Sequence, residues 1–295
     1  MGHRQKPSFL VGDGQLAHKI LWGAVGGILL FYIAGLTWLY VNQRSYIYPG
    51  ATRGGANALA GPETVRFRTS DGLVLRAEYR PARDGRPTIV FFHGNGDTTA
   101  GSKVATQAFA RPGYGLLLPE YRGYDGNPGS PSEDGLYKDG RAALQWLMGQ
   151  GVPGPNIIIM GNSLGSGVAT EMAMEHRVAA LVLVSGFTSM VDVVQTHLPF
   201  VPAGLLVRDR FENARKLARI GCPTLILHGA ADTLIPATQG AALAAASGHA
   251  QLDILPGKGH ELAYTAIAQD RTLAWLASIA RERPGFKRIA SPDSR

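Results

Sequence analysis

One serine stands out among the residues whose types and spacing could do chemistry. The stretch NIIIMGNSLGSG, residues 156–167, places Ser163 in the pattern G-x-S-x-G after four apolar residues. Between a strand and a helix this pattern is typical of a nucleophile elbow, a sharp turn that exposes the serine hydroxyl. Gly161 and Gly165 would remove the collisions that larger residues cause in such a turn. The alternative is a glycine-rich turn in which the serine only caps a helix.

A serine hydroxyl needs a general base, and the chain offers a candidate base and a candidate acid in the expected order. Histidine is the usual base, and a carboxylate usually orients it. After a nucleophile elbow the acid precedes the histidine along the chain. Asp232 follows the apolar run TLILH, and His260 follows the last predicted strand. We therefore predict a triad of Ser163, Asp232 and His260.

Other acids and histidines of the chain fit these two roles less well. Asp192 remains an alternative acid, whereas Asp253 lies inside a strand-like run and is badly placed. Glu261 is adjacent to His260, which favours a position at the start of a helix. His93 and His228 each end a predicted strand before a glycine, and we expect both to be structural.

The reaction of such a serine creates an oxyanion, which needs backbone N–H donors. One donor is expected from Leu164, directly after the nucleophile. The other is expected from the loop HGNGD after the strand 88–92. Asn95 is the first choice there and Gly96 the second.

These residues must be positioned by elements, and the apolar runs predict them. TVRFRTSDGLVLRAEY is typical of a β-hairpin around Asp71 and Gly72. Short, continuous apolar runs favour parallel strands covered on both faces. They lie at 88–92, 115–119, 156–160, 180–185, 224–228 and 251–256.

Helical patterns lie between these runs. A capping box of Ser130 and Glu133 with Pro131 predicts one helix start, and others are expected after Gly101, Leu164, Pro236 and Glu261. Alternating strands and helices predict a mostly parallel, doubly wound α/β sheet with antiparallel strands at its start.

Residues 20–41 form an uncharged apolar segment of 22 residues, which would span about 33 Å as a helix. This suits a bilayer core and exceeds the apolar part of a signal peptide; a buried core helix is the other alternative. Arg4, Lys6 and Lys19 precede the segment, whereas Arg44 and Arg53 follow it. The excess weakly favours a catalytic domain on the periplasmic or extracytoplasmic side.

The boundaries follow from these assignments. We expect an N-terminal flank (1–19), a transmembrane helix (20–41), a linker (42–62), a catalytic domain (63–280) with a small cap (186–220), and a basic tail (281–295). The linker's residues 46–49 could instead dock on the domain. The apolar stretch 198–207 of the cap could form an acyl-binding wall or a lip near the bilayer, or could be buried packing.

Six motifs together resemble the α/β-hydrolase family. They are FFHGNGD, EYRGYDGNPGSPSEDGLYKDGRAALQWL, GNSLGSGVA, SGFTSM, LHGAADTLIP and GKGHE. Within the family, the chain resembles membrane-anchored serine hydrolases with one N-terminal helix. The resemblance implies the α/β-hydrolase fold, the same triad, and hydrolysis of esters or thioesters. Asp125 departs from the usual Y-R-G-Y-G pattern, which could alter a turn near the pocket.

The expected activity is that of a membrane-anchored serine hydrolase acting on an acyl ester or thioester, with lipids among the candidate substrates, without metal or organic cofactor. A serine peptidase of the same fold and a non-catalytic membrane-tethered binding module remain alternatives. The chain has a formal charge of +7 but no zinc-ligand spacing, P-loop or basic-aromatic stripe, so we expect no nucleic-acid partner. Its single cysteine, Cys222, excludes an intramolecular disulfide.

Overall fold

A computed structural model of the protein describes residues 12–52 and 63–282. The chain divides into two units, Met1–Gln43 and Arg44–Arg295. The predicted features outside the described residues are most of the N-terminal flank, with Arg4 and Lys6, the linker from Arg53 to residue 62, and nearly all of the basic tail.

The uncharged segment lies in a long helix, α1 (Gly12–Ile47). Residues Gln15–Ile47 are long and apolar enough to be a candidate membrane span, by length and composition. Large apolar side chains in this segment are exposed, and Phe31 is 84% exposed. Residues 42–47, expected in an irregular linker, continue the helix because no proline or cap residue stops it before Tyr48 and Pro49.

Eight strands form one sheet in the order β1-β2-β4-β3-β5-β6-β7-β8. Strands β3 to β8 run parallel to their neighbours within that set, whereas β2 pairs antiparallel with both β1 and β4. This confirms the predicted fold class. The strands are β1 (Thr64–Arg68), β2 (Val74–Arg80), β3 (Thr88–Phe92), β4 (Gly115–Pro119), β5 (Ile157–Asn162), β6 (Ala180–Val184), β7 (Thr224–Gly229) and β8 (Ala250–Leu255).

The five central strands β3 to β7 are buried along their whole length, because helices cover both faces of the sheet. Successive side chains of β3 enter opposite cores, with Ile89 and Phe91 in one and Val90 and Phe92 in the other. The covering helices are α2 (Thr99–Ala110), α3 (Glu133–Gly149), α4 (Gly165–Glu175), α8 (Ala237–Ala246) and α9 (Ala266–Glu282).

The start of α3 differs from the predicted capping box. Ser132, not Ser130, is the N-cap: its backbone is extended and its side chain accepts a hydrogen bond from the Gly135 N–H at 3.1 Å. The Glu133 carboxylate does not return to a cap serine, because it accepts from the Tyr137 hydroxyl and the Arg210 N–H.

Three short helices lie between β6 and β7, in the segment 186–220 that was predicted as a small cap. They are α5 (Met190–His197), α6 (Ala203–Leu206) and α7 (Asn213–Leu217). Phe200 and Leu205 are 86% and 85% exposed, whereas Ala203 and Phe211 are buried. Buried packing therefore accounts for only part of the stretch 198–207.

The end of α1 and the residues after it are packed on the domain. This agrees in part with the alternative in which residues 46–49 dock on the domain. Ile47 and Tyr48 are buried, whereas Tyr46 is exposed. The Tyr48 hydroxyl donates to Asp209 Oδ2 at 3.1 Å, and Arg44 Nε donates to the same oxygen at 3.0 Å. A 3-10 helix, Pro49–Thr52, follows.

Candidate active site

Three side chains from separate loops meet at the carboxyl ends of the strands. Ser163 Oγ lies 2.9 Å from His260 Nε2, and His260 Nδ1 lies 2.8 Å from Asp232 Oδ2. Ser163 follows β5, Asp232 follows β7, and His260 follows β8. Parallel strands bring these loops to one edge of the sheet.

The turn at Ser163 has the sharp geometry of a nucleophile elbow. Ser163 has a φ of 50°, in the left-handed region that a serine rarely adopts. A Cβ on Gly161 would come within 2.4 Å of the Gly165 carbonyl oxygen, and a Cβ on Gly165 would come within 2.0 Å of the Phe92 carbonyl oxygen. Both positions therefore require glycine, since β5, β3 and α4 approach too closely for a side chain.

Asp232 is fixed by donors on both of its oxygens. Oδ1 accepts from the N–H groups of Leu234 and Ile235 at 3.0 and 2.8 Å, while Oδ2 faces His260. Burial acts to raise the pKa of Asp232, but hydrogen bonds from His228, His260 and the Ile235 amide outweigh it, so the pKa is lowered. The carboxylate stays ionised at neutral pH and favours a proton on the facing imidazole nitrogen.

The alternative acids lie in other surroundings. Asp192 is exposed at the start of α5, where its carboxylate accepts from the hydroxyls of Thr188 and Ser189. Asp253 pairs with Arg271 at 3.6 Å. Glu261 is exposed and accepts a hydrogen bond from the Gly259 N–H at 3.3 Å.

The amides expected to hold the oxyanion flank the serine. Leu164 directly precedes α4, whose N-terminal dipole favours negative charge nearby. Asn95 lies in the loop between β3 and α2, which we call the oxyanion loop (residues 93–98). Within the described residues, neither amide N–H donates a hydrogen bond. Gly96, the second choice, lies beside Asn95 and is exposed.

A cavity of about 410 Å³ opens at Ser163 and is bordered by two acids. Asp97 accepts a 2.8 Å hydrogen bond from the Tyr264 hydroxyl, which in turn accepts from Asn162 Nδ2 at 3.3 Å. Burial, followed by the charge of Asp97, raises the pKa of Tyr264, so the phenol stays a donor. The lining residues are Gly94, Asn95, Gly96, Asp97, Asn162, Ser163, His260, Glu261 and Tyr264.

Sequence reasoning overlooked Asp97, Asn162 and Tyr264 as cavity residues. Asp97 could have been found, because it ends the HGNGD motif after a predicted strand. Asn162 lies inside the serine motif, at a position whose residue type the motif leaves open. Tyr264 lies in the 3-10 helix His260–Tyr264, and nothing in the sequence distinguishes it from a core aromatic.

A buried ion pair lies behind the oxyanion loop. His93 Nε2 is 2.8 Å from Glu120 Oε1, and both side chains are fully buried. Burial acts to lower the pKa of His93, but the Glu120 carboxylate outweighs it and raises the pKa. Conversely, the charge of His93 and donors from His93 and Thr99 overcome the effect of burial and lower the pKa of Glu120. The second ring nitrogen of His93, Nδ1, donates to the Gly94 carbonyl at 2.8 Å.

His228 lies beside the candidate acid. Its Nε2 is 2.7 Å from the Ile235 carbonyl oxygen and 3.5 Å from Asp232 Oδ2. The ring therefore ties together the two ends of the loop that carries Asp232, in keeping with the structural role expected for it.

Two further features concern the turns and possible metal sites. Asp125 has a φ of 44°, so the aspartate that departs from the family pattern occupies a left-handed position where glycine is normally favoured. In the described part of the chain, no three His, Cys, Asp or Glu side chains are grouped so as to hold a metal ion.

Comparisons with known proteins agree with this architecture. A model of the α/β-hydrolase fold matches residues 87–212. The chain is 36% identical over 233 residues to the uncharacterised protein MT2364 of Mycobacterium tuberculosis, covering 76% of this chain and 83% of that protein. It is 32% identical over 176 residues to the lysophosphatidylserine lipase ABHD12 of Danio rerio, covering 52% of this chain and 45% of the lipase. The esterase Pf2001 of Pyrococcus furiosus has a TM-score of 0.57 at 16% identity, covering 74% of this chain and 89% of that chain, and shows the fold alone.

Proposed function

Because the chain belongs to the α/β-hydrolase family, we propose that it is a membrane-anchored serine hydrolase that cleaves carboxylic ester or thioester bonds. The observation that carries the proposal is the pair of short contacts through one imidazole, 2.9 Å to Ser163 Oγ and 2.8 Å to Asp232 Oδ2. A serine acquires nucleophilic character when a base at this distance can take its proton.

Acylation begins with attack of Ser163 Oγ on the acyl carbonyl carbon, while His260 Nε2 takes the hydroxyl proton. The resulting oxyanion accepts hydrogen bonds from the N–H groups of Leu164 and Asn95. Asp232 holds the ring through Nδ1 and stabilises the imidazolium. The carbon–oxygen or carbon–sulfur bond to the leaving group then breaks, and His260 gives its proton to the departing alcohol or thiol.

Deacylation repeats these steps with water. His260 takes a proton from a water molecule, which attacks the acyl carbon of the Ser163 ester. The same two amides hold the second oxyanion, and its collapse returns the proton from His260 to Ser163 Oγ. One ester or thioester and one water are converted into one acid and one alcohol or thiol.

Lipid-like acyl substrates are favoured over small esters by three observations. The uncharged segment at 20–41 would hold the domain at a bilayer. The cap presents Phe200 and Leu205 to solvent. A relative is a lysophosphatidylserine lipase, and its acyl chemistry fits the proposed reaction.

Active-site labelling and an ester series test this function. A fluorophosphonate should label the full-length protein in detergent micelles, and Ser163→Ala should abolish the labelling. Ser166→Ala is a matched control, because Ser166 is buried in the first turn of α4 and should leave Ser163 reactive. Full labelling of Ser163→Ala would overturn the proposal.

Hydrolysis of p-nitrophenyl esters from acetyl to palmitoyl, of palmitoyl-CoA and of a peptide library then separates the substrate classes. We expect rates to rise with acyl length on esters or thioesters. Cleavage of peptides alone would instead identify a peptidase.

A further inference from the structure

The last residues of α1 and those that follow it reach the back of the oxyanion loop. We propose that Gly50 is a positioning residue for hydrolysis: together with Tyr124 it holds the Asn95 carbonyl, and so fixes the Asn95–Gly96 peptide directly after the N–H of Asn95 that is proposed to hold the oxyanion. The inference rests on the proposed function and adds a part of the chain, residues 44–51, that we call the junction segment. It lies wholly within the unit Arg44–Arg295.

Two successive peptide groups of the oxyanion loop are held by their carbonyl oxygens. The Gly94 carbonyl accepts from His93 Nδ1 at 2.8 Å. The Asn95 carbonyl accepts from the Gly50 N–H and from the Tyr124 hydroxyl, both at 3.0 Å. In a trans peptide the N–H points opposite to the C=O. Holding these two carbonyls therefore fixes the directions of the N–H groups of Asn95 and Gly96.

Gly50 fits its position so closely that no side chain can replace its hydrogen. A Cβ there would lie 2.3 Å from Tyr124 Cε1 and 2.8 Å from the Asn95 carbonyl oxygen. Its φ is not in the left-handed region, so the constraint is the close approach and not the backbone conformation. A Cβ would therefore displace both the ring of Tyr124, which donates to the loop, and the Asn95 carbonyl, which accepts that bond.

The junction segment is itself held firmly enough to act as a support. Tyr48 is 1% exposed and its hydroxyl donates to Asp209, a buried carboxylate of the cap segment. Arg44 donates a bidentate pair of hydrogen bonds to the same carboxylate, at 3.0 and 3.2 Å. The ring of Tyr124 packs edge-on against both His93 and Tyr121. Gly50 therefore sits between a buried anchor at Asp209 and the aromatic cluster under the oxyanion loop.

Misplacing an oxyanion donor lowers the rate of the chemical step far more than it weakens substrate binding. The reason is that the hydrogen bond from the donor to the substrate oxygen forms only as negative charge develops on that oxygen. Gly50→Ala should therefore lower kcat by about 10- to 100-fold, with KM within about threefold of the native value. Tyr124→Phe keeps the ring but removes one donor to Asn95, and should lower kcat by about two- to tenfold. Gly248→Ala, in the exposed turn between α8 and β8, is the matched control, since a Cβ there meets nothing within 4 Å.

The experiment uses the full-length chain in detergent micelles with a p-nitrophenyl ester. Active-site titration with a fluorophosphonate, read at its end point, counts competent Ser163 and removes the effect of any unfolded fraction. A boronic acid, which forms a tetrahedral adduct with the serine, should bind Gly50→Ala more weakly by about the factor lost in kcat. If Gly50 has a purely structural role, Gly50→Ala should lower the melting temperature and the number of active sites. The kcat per active site and the boronate affinity should then stay at their native values.

The outcomes separate the two proposals. If the native protein hydrolyses no ester and takes up no fluorophosphonate, the proposed function fails, whatever the variants show. Native values of kcat and boronate affinity in both Gly50→Ala and Tyr124→Phe would overturn the positioning role and leave the proposed function standing. Should Gly50→Ala not fold, Tyr124→Phe decides alone, because it adds no atom to the site.

Discussion

At the scale of single residues, the acid of the candidate site, Asp232, is held in place through both of its carboxylate oxygens. Two backbone amides hold one oxygen of Asp232, and two histidines face the other. A carboxylate with this many donors has little freedom to rotate and remains ionised. It therefore imposes one orientation on His260, with Nδ1 protonated and Nε2 available to the serine.

Asp232→Asn should lower kcat by about 10³- to 10⁴-fold, because an amide cannot stabilise the imidazolium and favours the wrong histidine tautomer. Asp253→Asn is the matched control, since Asp253 lies on β8 and pairs with Arg271 of α9. Steady-state hydrolysis of a p-nitrophenyl ester measures both. An Asp232→Asn enzyme within tenfold of native kcat would contradict the role assigned to this carboxylate.

The residues of the site could be predicted unequally well. Ser163 could be predicted as the nucleophile, because the two glycines beside it and the strand and helix around it leave few other roles for a serine. Asp232 and His260 were readable because chain order and strand ends restrict the candidates. The Gly50–Asn95 contact was not, because the two residues lie far apart in sequence and no local pattern marks their approach.

At the scale of elements, the loops after the strands carry the residues of the candidate site, whereas the strands position these loops. The runs of β3 to β7 were predictable to within one or two residues, since continuous burial leaves a plain apolar pattern. The start of α3 was not, because the capping pattern fits Ser130 with Glu133 and not Ser132, whereas in the fold Glu133 bonds Tyr137 and Arg210 and Ser132 is the N-cap. The His93–Glu120 pair joins the ends of β3 and β4 to the start of α2, since Glu120 also accepts from Thr99.

This buried pair predicts how stability depends on pH. Below the ordinary His pKa of 6.5 the raised pKa of His93 contributes fully, and the contribution is lost as pH rises through the folded-state value. Above the ordinary Glu pKa of 4.5 the lowered pKa of Glu120 contributes fully, and that is lost as pH falls through its folded-state value. The pair therefore stabilises most between about pH 4.5 and 6.5.

Urea unfolding in detergent from pH 5 to pH 9 measures this effect. The difference in free energy of unfolding between the native protein and His93→Gln should be largest near the acid end and shrink toward the alkaline end. His249→Gln, at an exposed histidine, is the control. A difference that stays constant across the range would contradict a charged His93.

At the scale of the whole molecule, the chain combines an apolar helix with a hydrolase domain. The helix is a candidate span by length and composition, and the positive charges around it weakly favour an extracytoplasmic domain. Cys222 is the only cysteine and lies in the domain, just before β7, partly accessible. It therefore reports the side of the membrane on which the domain lies.

A membrane-impermeant maleimide should label Cys222 in intact cells, or in spheroplasts where an outer membrane excludes the reagent. Cys222→Ser should remove the signal, and detergent-lysed cells should give the full value for the native chain. Labelling that appears only after lysis would place the domain in the cytoplasm and reverse the predicted topology.

The two carboxylates beside Ser163 bear on how the cycle ends. In the proposed reaction the freed carboxylic acid would lose its proton at neutral pH, and its negative charge would arise within the cavity that Asp97 and Glu261 border. Like charges repel most strongly where little water separates them. If the site works as proposed, this cavity would retain the anionic product less well than a neutral ester, and this repulsion would help to release the product at the end of each turnover.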